Sequence, residues 1–169
     1  PFELVARFAP SNVEQQGTHF NRVAIERIAG NWRASAERVP LQAQVRVGGG
    51  SINTTLFAAT DDSNLSDSLA VQLVELFSGD IDFHRQLRKG DSFSLVYEVL
   101  TADDQPITWG DGTGRILAAE FVNAGRVYQA VLFRDDEGIE AHYDFEGANR
   151  AKAFLRSPVY RFWSRIASQ

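Results

Sequence analysis

The hydrophobic period of the chain changes twice, and these changes constrain the fold more than any other feature. In the stretches FELVARF, residues 2–8, and LQAQVRV, residues 41–47, apolar side chains recur at every second position, as in strands with one buried face. After residue 66 the period becomes helical, and the apolar stripe consists of Leu69, Leu73, Leu76 and Phe77. From residue 91 the period of two returns. We therefore expect an α+β fold: antiparallel β-sheets with two or three short helices inserted between an N-terminal and a C-terminal set of strands.

Local sequence signals predict where the helices begin and end. The glycines of GGGS, residues 48–51, are predicted to end the N-terminal strands, and Ser51 is a candidate N-cap for the first helix. Ser66 is a candidate N-cap for the second helix. One further helical turn is predicted to begin at Asp82 and to close at Gly90.

Turn residues between the alternating stretches predict hairpins. The pair Gly30-Asn31 is predicted to lead into a return strand. The stretch NAGR, residues 123–126, separates two alternating segments and gives the best hairpin signal in the chain. Residues 101–114 are predicted to form a loop or a hairpin excursion.

Composition excludes several classes of function. The chain has no cysteine, which excludes disulfides, thiolate metal sites and a thiol nucleophile. Its net charge is -5 and its basic residues are scattered, so nucleic acid is not an expected partner.

The histidines do not form a convincing catalytic constellation. His142, Asp144 and Glu146 are close in sequence, but the surrounding segment is predicted to be strand and turn, so His142 and Glu146 do not share a face. His142 and Asp144 alone are one ligand short of a catalytic zinc site. His84 follows Asp82, whose carboxylate is better explained as a helix cap. An enzyme site made of His142, Asp144 and Glu146 is therefore the least favoured hypothesis.

The C-terminal stretch KAFLRSPVYRFWSRIASQ, residues 152–169, combines aromatic and aliphatic side chains with arginines. Terminal tails are usually polar and dispensable. This stretch is therefore expected to pack against another surface.

Two stretches of the sequence resemble a known family. They are LAVQLVELFSGDIDFHRQLRKGDSFSLVYE, residues 69–98, and GRILAAEFVNAGRVYQAVLF, residues 114–133, which is followed by HYDFEGANRAKAFLRSP. Together they resemble the non-catalytic region that precedes the catalytic domain in bacterial LytM/lysostaphin-type zinc endopeptidases, peptidoglycan hydrolases with an OapA-like or LysM-like N-terminal part. The resemblance covers most of residues 41–169. The segment VYRFW, between Pro158 and Ser164, is longer and more aromatic than the family pattern.

The resemblance implies an accessory α+β domain at residues 1–150 and a connector at residues 151–169, leading to a catalytic domain outside this chain. It implies no catalytic or metal-binding residue here, because the family's His-x-x-x-Asp and His-x-His zinc motifs do not occur in the sequence. Zinc is expected in the catalytic domain, which would hydrolyse peptide cross-links of peptidoglycan. This chain alone is expected not to be an enzyme, and its expected location is the bacterial cell envelope.

The resemblance also suggests where the chain makes contacts. The expected partners are its own downstream peptidase domain and peptidoglycan, and the role is either regulatory or wall-targeting. The alternative is a free-standing envelope binding or scaffold protein without a peptidase domain. The candidate contact residues are Phe83, His84, Arg85, Arg88, Phe154, Arg156, Tyr160, Arg161 and Trp163.

Overall fold

The computed structural model describes residues 3–136 and 138–150. In chain order the strands are β1 (Glu3–Phe8), β2 (His19–Ile28), β3 (Asn31–Pro40), β4 (Gln42–Ser51), β5 (Ser92–Ala102), β6 (Gln105–Pro106), β7 (Thr113–Asn123), β8 (Arg126–Arg134) and β9 (Glu140–Tyr143). The helices are a 3₁₀ turn (Val13–Gln15), α1 (Leu56–Asp62) and α2 (Asp67–Phe77). The predicted α+β class, with antiparallel strands and short helices, is confirmed. None of the helices in the described part of the chain has the length and hydropathy that crossing a bilayer requires.

The chain forms two compact units. Unit 1 contains the residues up to Arg46 together with Glu98–Gly114, and unit 2 contains Val47–Tyr97 together with the residues from Arg115 onward. One sheet has the strand order β1-β2-β3, and the other has the order β4-β5-β7-β8-β9, with β6 paired to β5.

Unit 1 contains the antiparallel sheet of β1, β2 and β3. Ile28 pairs with Asn31 across the turn between β2 and β3, so the turn residues are Ala29 and Gly30, with φ of 49° and 87°. Two positive φ values in a two-residue hairpin match the twist of the flanking strands. The predicted turn at Gly30-Asn31 is thus one residue too late, because Asn31 already belongs to β3.

A second two-residue turn in unit 1 binds two arginines of the sheet. Asp103 and Asp104 join β5 to β6 with φ of 50° and 61°, which confirms the hairpin excursion predicted for this region. The Asp103 carboxylate accepts hydrogen bonds from Arg22, and also from Nε of Arg7 at 2.8 Å. The hydrogen bond from Arg22 holds the pKa of Asp103 below its ordinary value.

The main core lies in unit 2, where α2 packs on the sheet. The predicted stripe of Leu69, Leu73, Leu76 and Phe77 is buried, as the helical period requires. Phe121 of β7 lies at the centre of an aromatic cluster, with ring centroids 6.2 Å from Phe77 and 6.4 Å from Phe93. The hairpin predicted at NAGR is confirmed, because Asn123 pairs with Arg126 across the turn.

The glycines of GGGS do not end β4, which continues to Ser51, so this prediction is wrong. The physical reason is close packing. A Cβ atom at Gly49 would lie 2.7 Å from the carbonyl oxygen of Phe93, and one at Gly50 would lie 3.1 Å from the carbonyl oxygen of Ala59. Glycine is required here because the backbone of β4 approaches β5 and α1 too closely for a side chain.

The N-caps of the helices differ in part from the predicted ones. Thr55, not Ser51, caps α1, and its side chain accepts a hydrogen bond from the backbone nitrogen of Ala58. Ser51 is unavailable as a cap because it still belongs to β4. Ser66 occupies the predicted N-cap position of α2, although its side chain makes no capping hydrogen bond.

Gly49→Ala tests the close approach of β4 to β5. We expect the free energy of unfolding to fall by about 1–3 kcal/mol, because the methyl group must displace the Phe93 backbone. Urea denaturation measures the change. Gly17→Ala is the matched control, since a Cβ there meets open space, and it should change stability by less than about 0.5 kcal/mol. Equal stabilities for the two variants would contradict the packing explanation.

Candidate functional site

The segment that follows α2 forms a hydrogen-bonded turn. The Asp82 side chain accepts hydrogen bonds from the backbone nitrogens of His84 and Arg85, at 3.0 and 3.2 Å. The backbone nitrogen of Gln86 donates to the carbonyl oxygen of Asp82 at 2.8 Å, and the Gln86 side chain accepts from the Asp82 nitrogen. Gly90, with φ of 94°, lies at the end of the segment. Asp82 thus caps a hydrogen-bonded turn as predicted, but the segment between Asp82 and Gly90 contains no helix.

The carboxylate of Asp91 joins this turn to the hairpin of β7 and β8. Asp91 is only 4% exposed. Its Oδ2 accepts hydrogen bonds from the Arg88 backbone nitrogen and from Nδ2 of Asn123, both at 2.7 Å, and its Oδ1 accepts from the Ala124 nitrogen at 2.8 Å. Nδ2 of Asn123 also donates to the carbonyl oxygen of Gln86. This cluster is called the Asp91 clasp below.

The Asp91 clasp changes the acidity of its carboxyl group. Burial acts to raise the pKa of Asp91, because it penalises the charged form. The hydrogen bonds from Ala124, Arg88 and Asn123 favour the charged form and outweigh burial, so the pKa lies below its ordinary value. The clasp therefore requires an ionised Asp91.

A groove of about 790 Å³ lies between the beginning of α1, the outer face of α2 and the turn after it. It is called the α2 groove. Its apolar lining consists of Leu56, Phe57, Val71, Val74, Ile81, Phe83 and Leu87. Its polar lining consists of Thr55, Glu75, Ser78, Gly79, Asp80, Asp82, His84 and Gln86. None of the lining residues is Lys or Arg, and the acidic ones are Glu75, Asp80 and Asp82. Asp80 and Asp82 form ion pairs with Arg150 and Arg85, which do not line the groove.

Two of the predicted contact residues line the α2 groove. Phe83 is half-buried and packs edge-on against Phe121, with the ring centroids 5.4 Å apart, so it attaches the turn to the core. His84 is exposed at the rim. Arg85 and Arg88 are exposed on the same turn but do not line the groove. Their role as contact residues stays a prediction. The other candidates, Phe154, Arg156, Tyr160, Arg161 and Trp163, lie outside the described residues.

The histidine and carboxylate residues near β9 are engaged in structural hydrogen bonds. Nε2 of His142 lies 2.7 Å from the carbonyl oxygen of Ile116, which can only accept, so this nitrogen donates the bond. The Asp144 carboxylate accepts from the backbone nitrogens of Glu146 and Ala148. Within residues 3–136 and 138–150, no group of three or more His, Cys, Asp or Glu side chains could hold a metal ion.

Arg150, the last described residue, binds the rim of the α2 groove. The guanidinium of Arg150 forms ion pairs with Asp80 of the groove rim and with Asp144, the latter at 3.1 Å. Nη1 and Nη2 of Arg150 each form one of these ion pairs, whereas Nε has no hydrogen-bond partner among the described residues. The chain therefore leaves the described part of unit 2 beside this groove.

Comparison with protein families shows where this domain belongs. Residues 42–169 match the family described as the Csd3 second domain. The chain belongs to the Csd3 second-domain family. This assignment confirms the resemblance to the non-catalytic region of LytM-type peptidases that the sequence indicates.

Two curated relatives of this Csd3 second-domain chain come from Vibrio cholerae serotype O1. Peptidoglycan DD-endopeptidase ShyC is 35% identical over 108 residues, which cover 64% of this chain and 23% of the relative. Peptidoglycan DD-endopeptidase ShyA is 27% identical over 139 residues, which cover 82% of this chain and 30% of the relative. The chain thus spans less than a third of the length of either relative.

Two solved structures share the fold of the Csd3 second-domain chain. Helicobacter pylori Csd3, from an orthorhombic crystal, matches with a TM-score of 0.55 and 16% identity, covering 86% of this chain and 40% of that one. A zinc-containing peptidase from Vibrio cholerae matches with a TM-score of 0.51 and 18% identity, covering 88% of this chain and 45% of that one. At these identities the likeness concerns the fold.

Asp91→Ala tests the clasp. The substitution leaves the backbone nitrogens of Arg88 and Ala124 without an acceptor, and we expect the free energy of unfolding to fall by about 3 kcal/mol. Asp62→Ala is the control, because Asp62 is exposed in the last turn of α1, and its effect should stay within about 0.5 kcal/mol. Urea denaturation compares the two variants, and a loss below about 1 kcal/mol for Asp91→Ala would contradict the assignment.

The pH dependence of the clasp follows from the lowered pKa of Asp91. A lowered pKa in the folded state stabilises the fold above the unfolded-state value of 3.8, and this contribution disappears as pH falls through the folded-state pKa. The stability difference between the parent chain and Asp91→Asn should therefore be constant near neutral pH and shrink below about pH 4. Urea denaturation at several pH values measures this stability difference. A difference that grows on acidification would show that the pKa of Asp91 is not lowered in the folded state.

Proposed function

We propose that this chain is a non-catalytic accessory domain of a cell-envelope zinc metalloendopeptidase that cleaves peptide cross-links of peptidoglycan. The observation that carries the proposal is the family match over residues 42–169, together with two relatives named as peptidoglycan DD-endopeptidases. Because the chain spans less than a third of these relatives, the catalytic domain is proposed to lie in another part of the intact protein. The proposed location is the envelope, where peptidoglycan is found.

The proposed partner of this domain is its own peptidase domain, and the proposed role is regulatory. This choice is supported by the two relatives named as peptidoglycan DD-endopeptidases, of which this chain covers less than a third, so that a catalytic domain can lie beside this domain in the intact protein.

Zinc is proposed for the peptidase domain and not for this chain. The described residues contain no three-ligand group, and His142 already donates a hydrogen bond to a backbone carbonyl. The domain arrangement, with residues 1–150 as accessory domain and residues 151–169 as connector, is likewise a proposal.

The second candidate function is a free-standing envelope binding or scaffold protein without a peptidase domain. The coding sequence beyond Gln169 separates the two. A reading frame that continues into His-x-x-x-Asp and His-x-His motifs supports the accessory domain, and a stop codon within a few residues refutes it.

An assay on purified peptidoglycan tests whether the hydrolytic activity belongs to the intact parent and not to this chain. The 169-residue chain should release no peptide fragments, whereas the intact parent should release them and lose this activity after chelation of its metal. Chromatography of the soluble products measures release, and restoring zinc to the chelated parent is the control. Hydrolysis by the 169-residue chain, or full activity of the chelated parent, would contradict the proposal.

A further inference from the structure

We propose that the α2 groove is a docking site for residues 151–169 of the same chain. The groove and this segment both belong to the 169-residue sequence, so the proposal does not depend on the function proposed above. Three observations carry it: where the described chain ends, the pattern of apolar residues in the segment, and the charges on the two sides.

The described chain ends at the groove. Arg150 is held by Asp80, which lines the α2 groove, and by Asp144, which in turn accepts hydrogen bonds from the backbone of its own turn. Six residues, 151–156, separate Arg150 from Ser157, and at about 3.3 Å each when extended they span about 20 Å. This length allows the apolar residues after Ser157 to reach the groove.

The apolar residues of the segment follow the spacing of a groove-binding helix. Ser157 and Pro158 are the residue types favoured at the N-cap and first position of a helix. After them, apolar residues recur at positions i, i+3, i+4 and i+7, namely Val159, Phe162, Trp163 and Ile166. This is the pattern by which an amphipathic helix places its apolar face in a hydrophobic groove.

The charges of the groove and the segment are complementary. The lining contains no Lys or Arg, and Glu75 is its one acidic residue without an ion pair among the described residues. Residues 151–169 contain no Asp or Glu, and their basic residues are Lys152, Arg156, Arg161 and Arg165. Charge complementarity of this kind favours the correct partner and disfavours others.

Photo-crosslinking within the 169-residue chain tests this docking. With Trp163→p-benzoylphenylalanine, irradiation should join position 163 to the peptides that line the α2 groove, and mass spectrometry of the digested monomer identifies them. Adding Val71→Lys places a charge on the apolar floor, where it would be desolvated and would repel the arginines of the segment. We expect the crosslink yield to fall at least about fivefold.

Val127→Lys is the matched control, because Val127 is 53% exposed against 46% for Val71 and does not line the groove. This control should leave the yield unchanged. Glu75→Lys, on the rim, provides a second variant that should lower it, and circular dichroism verifies that every variant folds. The proposal is overturned by crosslinks to other parts of the monomer, by crosslinked dimers, by no crosslink at all, or by equal yields from Val71→Lys and Val127→Lys.

Discussion

The Asp91 clasp is the interaction on which the arrangement around the α2 groove depends. Three hydrogen bonds to a buried carboxylate connect Arg88, Asn123 and Ala124, which belong to a turn and to a hairpin far apart in sequence. The turn also carries Phe83 and Leu87, which form part of the groove wall. A buried charge is costly unless it is fully hydrogen-bonded, so this carboxylate specifies one position for the turn relative to β7 and β8.

Local and periodic features of the fold were predictable from the sequence. The stripe on α2 is buried because a helix with one apolar face gains stability only by covering it. The turn between β7 and β8 could be predicted because Gly125 adopts positive φ without strain, although Ala124 beside it also has positive φ. The failure at Gly49 has a different origin. Glycine weakens an isolated strand, which is why the strand was predicted to end there. In the folded chain, however, a side chain at Gly49 would collide with the Phe93 backbone, and this contact depends on the tertiary structure. Alternation in β1 also did not imply burial, since Leu4 and Phe8 are each 53% exposed.

The candidate site was only partly predictable, for the same physical reason. The turn at Asp82 could be read from local capping chemistry, and His84 does lie at the groove rim. The partners of Asp91 could not be read, because Asn123 lies 32 residues away and is joined to it only by the fold. The α2 groove was missed altogether. Phe57 and Val71 have ordinary local sequences, and the groove exists because α1, α2 and the following turn leave space between them. The one available signal was Val71, an apolar residue on the side of α2 opposite the buried stripe.

The central claim is that this domain acts through contact with a peptidase domain. The most direct measurement is a pull-down in which immobilised residues 1–169 are offered the separately expressed downstream domain, with purified peptidoglycan sacculi in a parallel experiment. We expect the chain to retain the peptidase domain. A chain that retains no peptidase domain would contradict the claim, and if it retained sacculi instead, wall targeting would be its function.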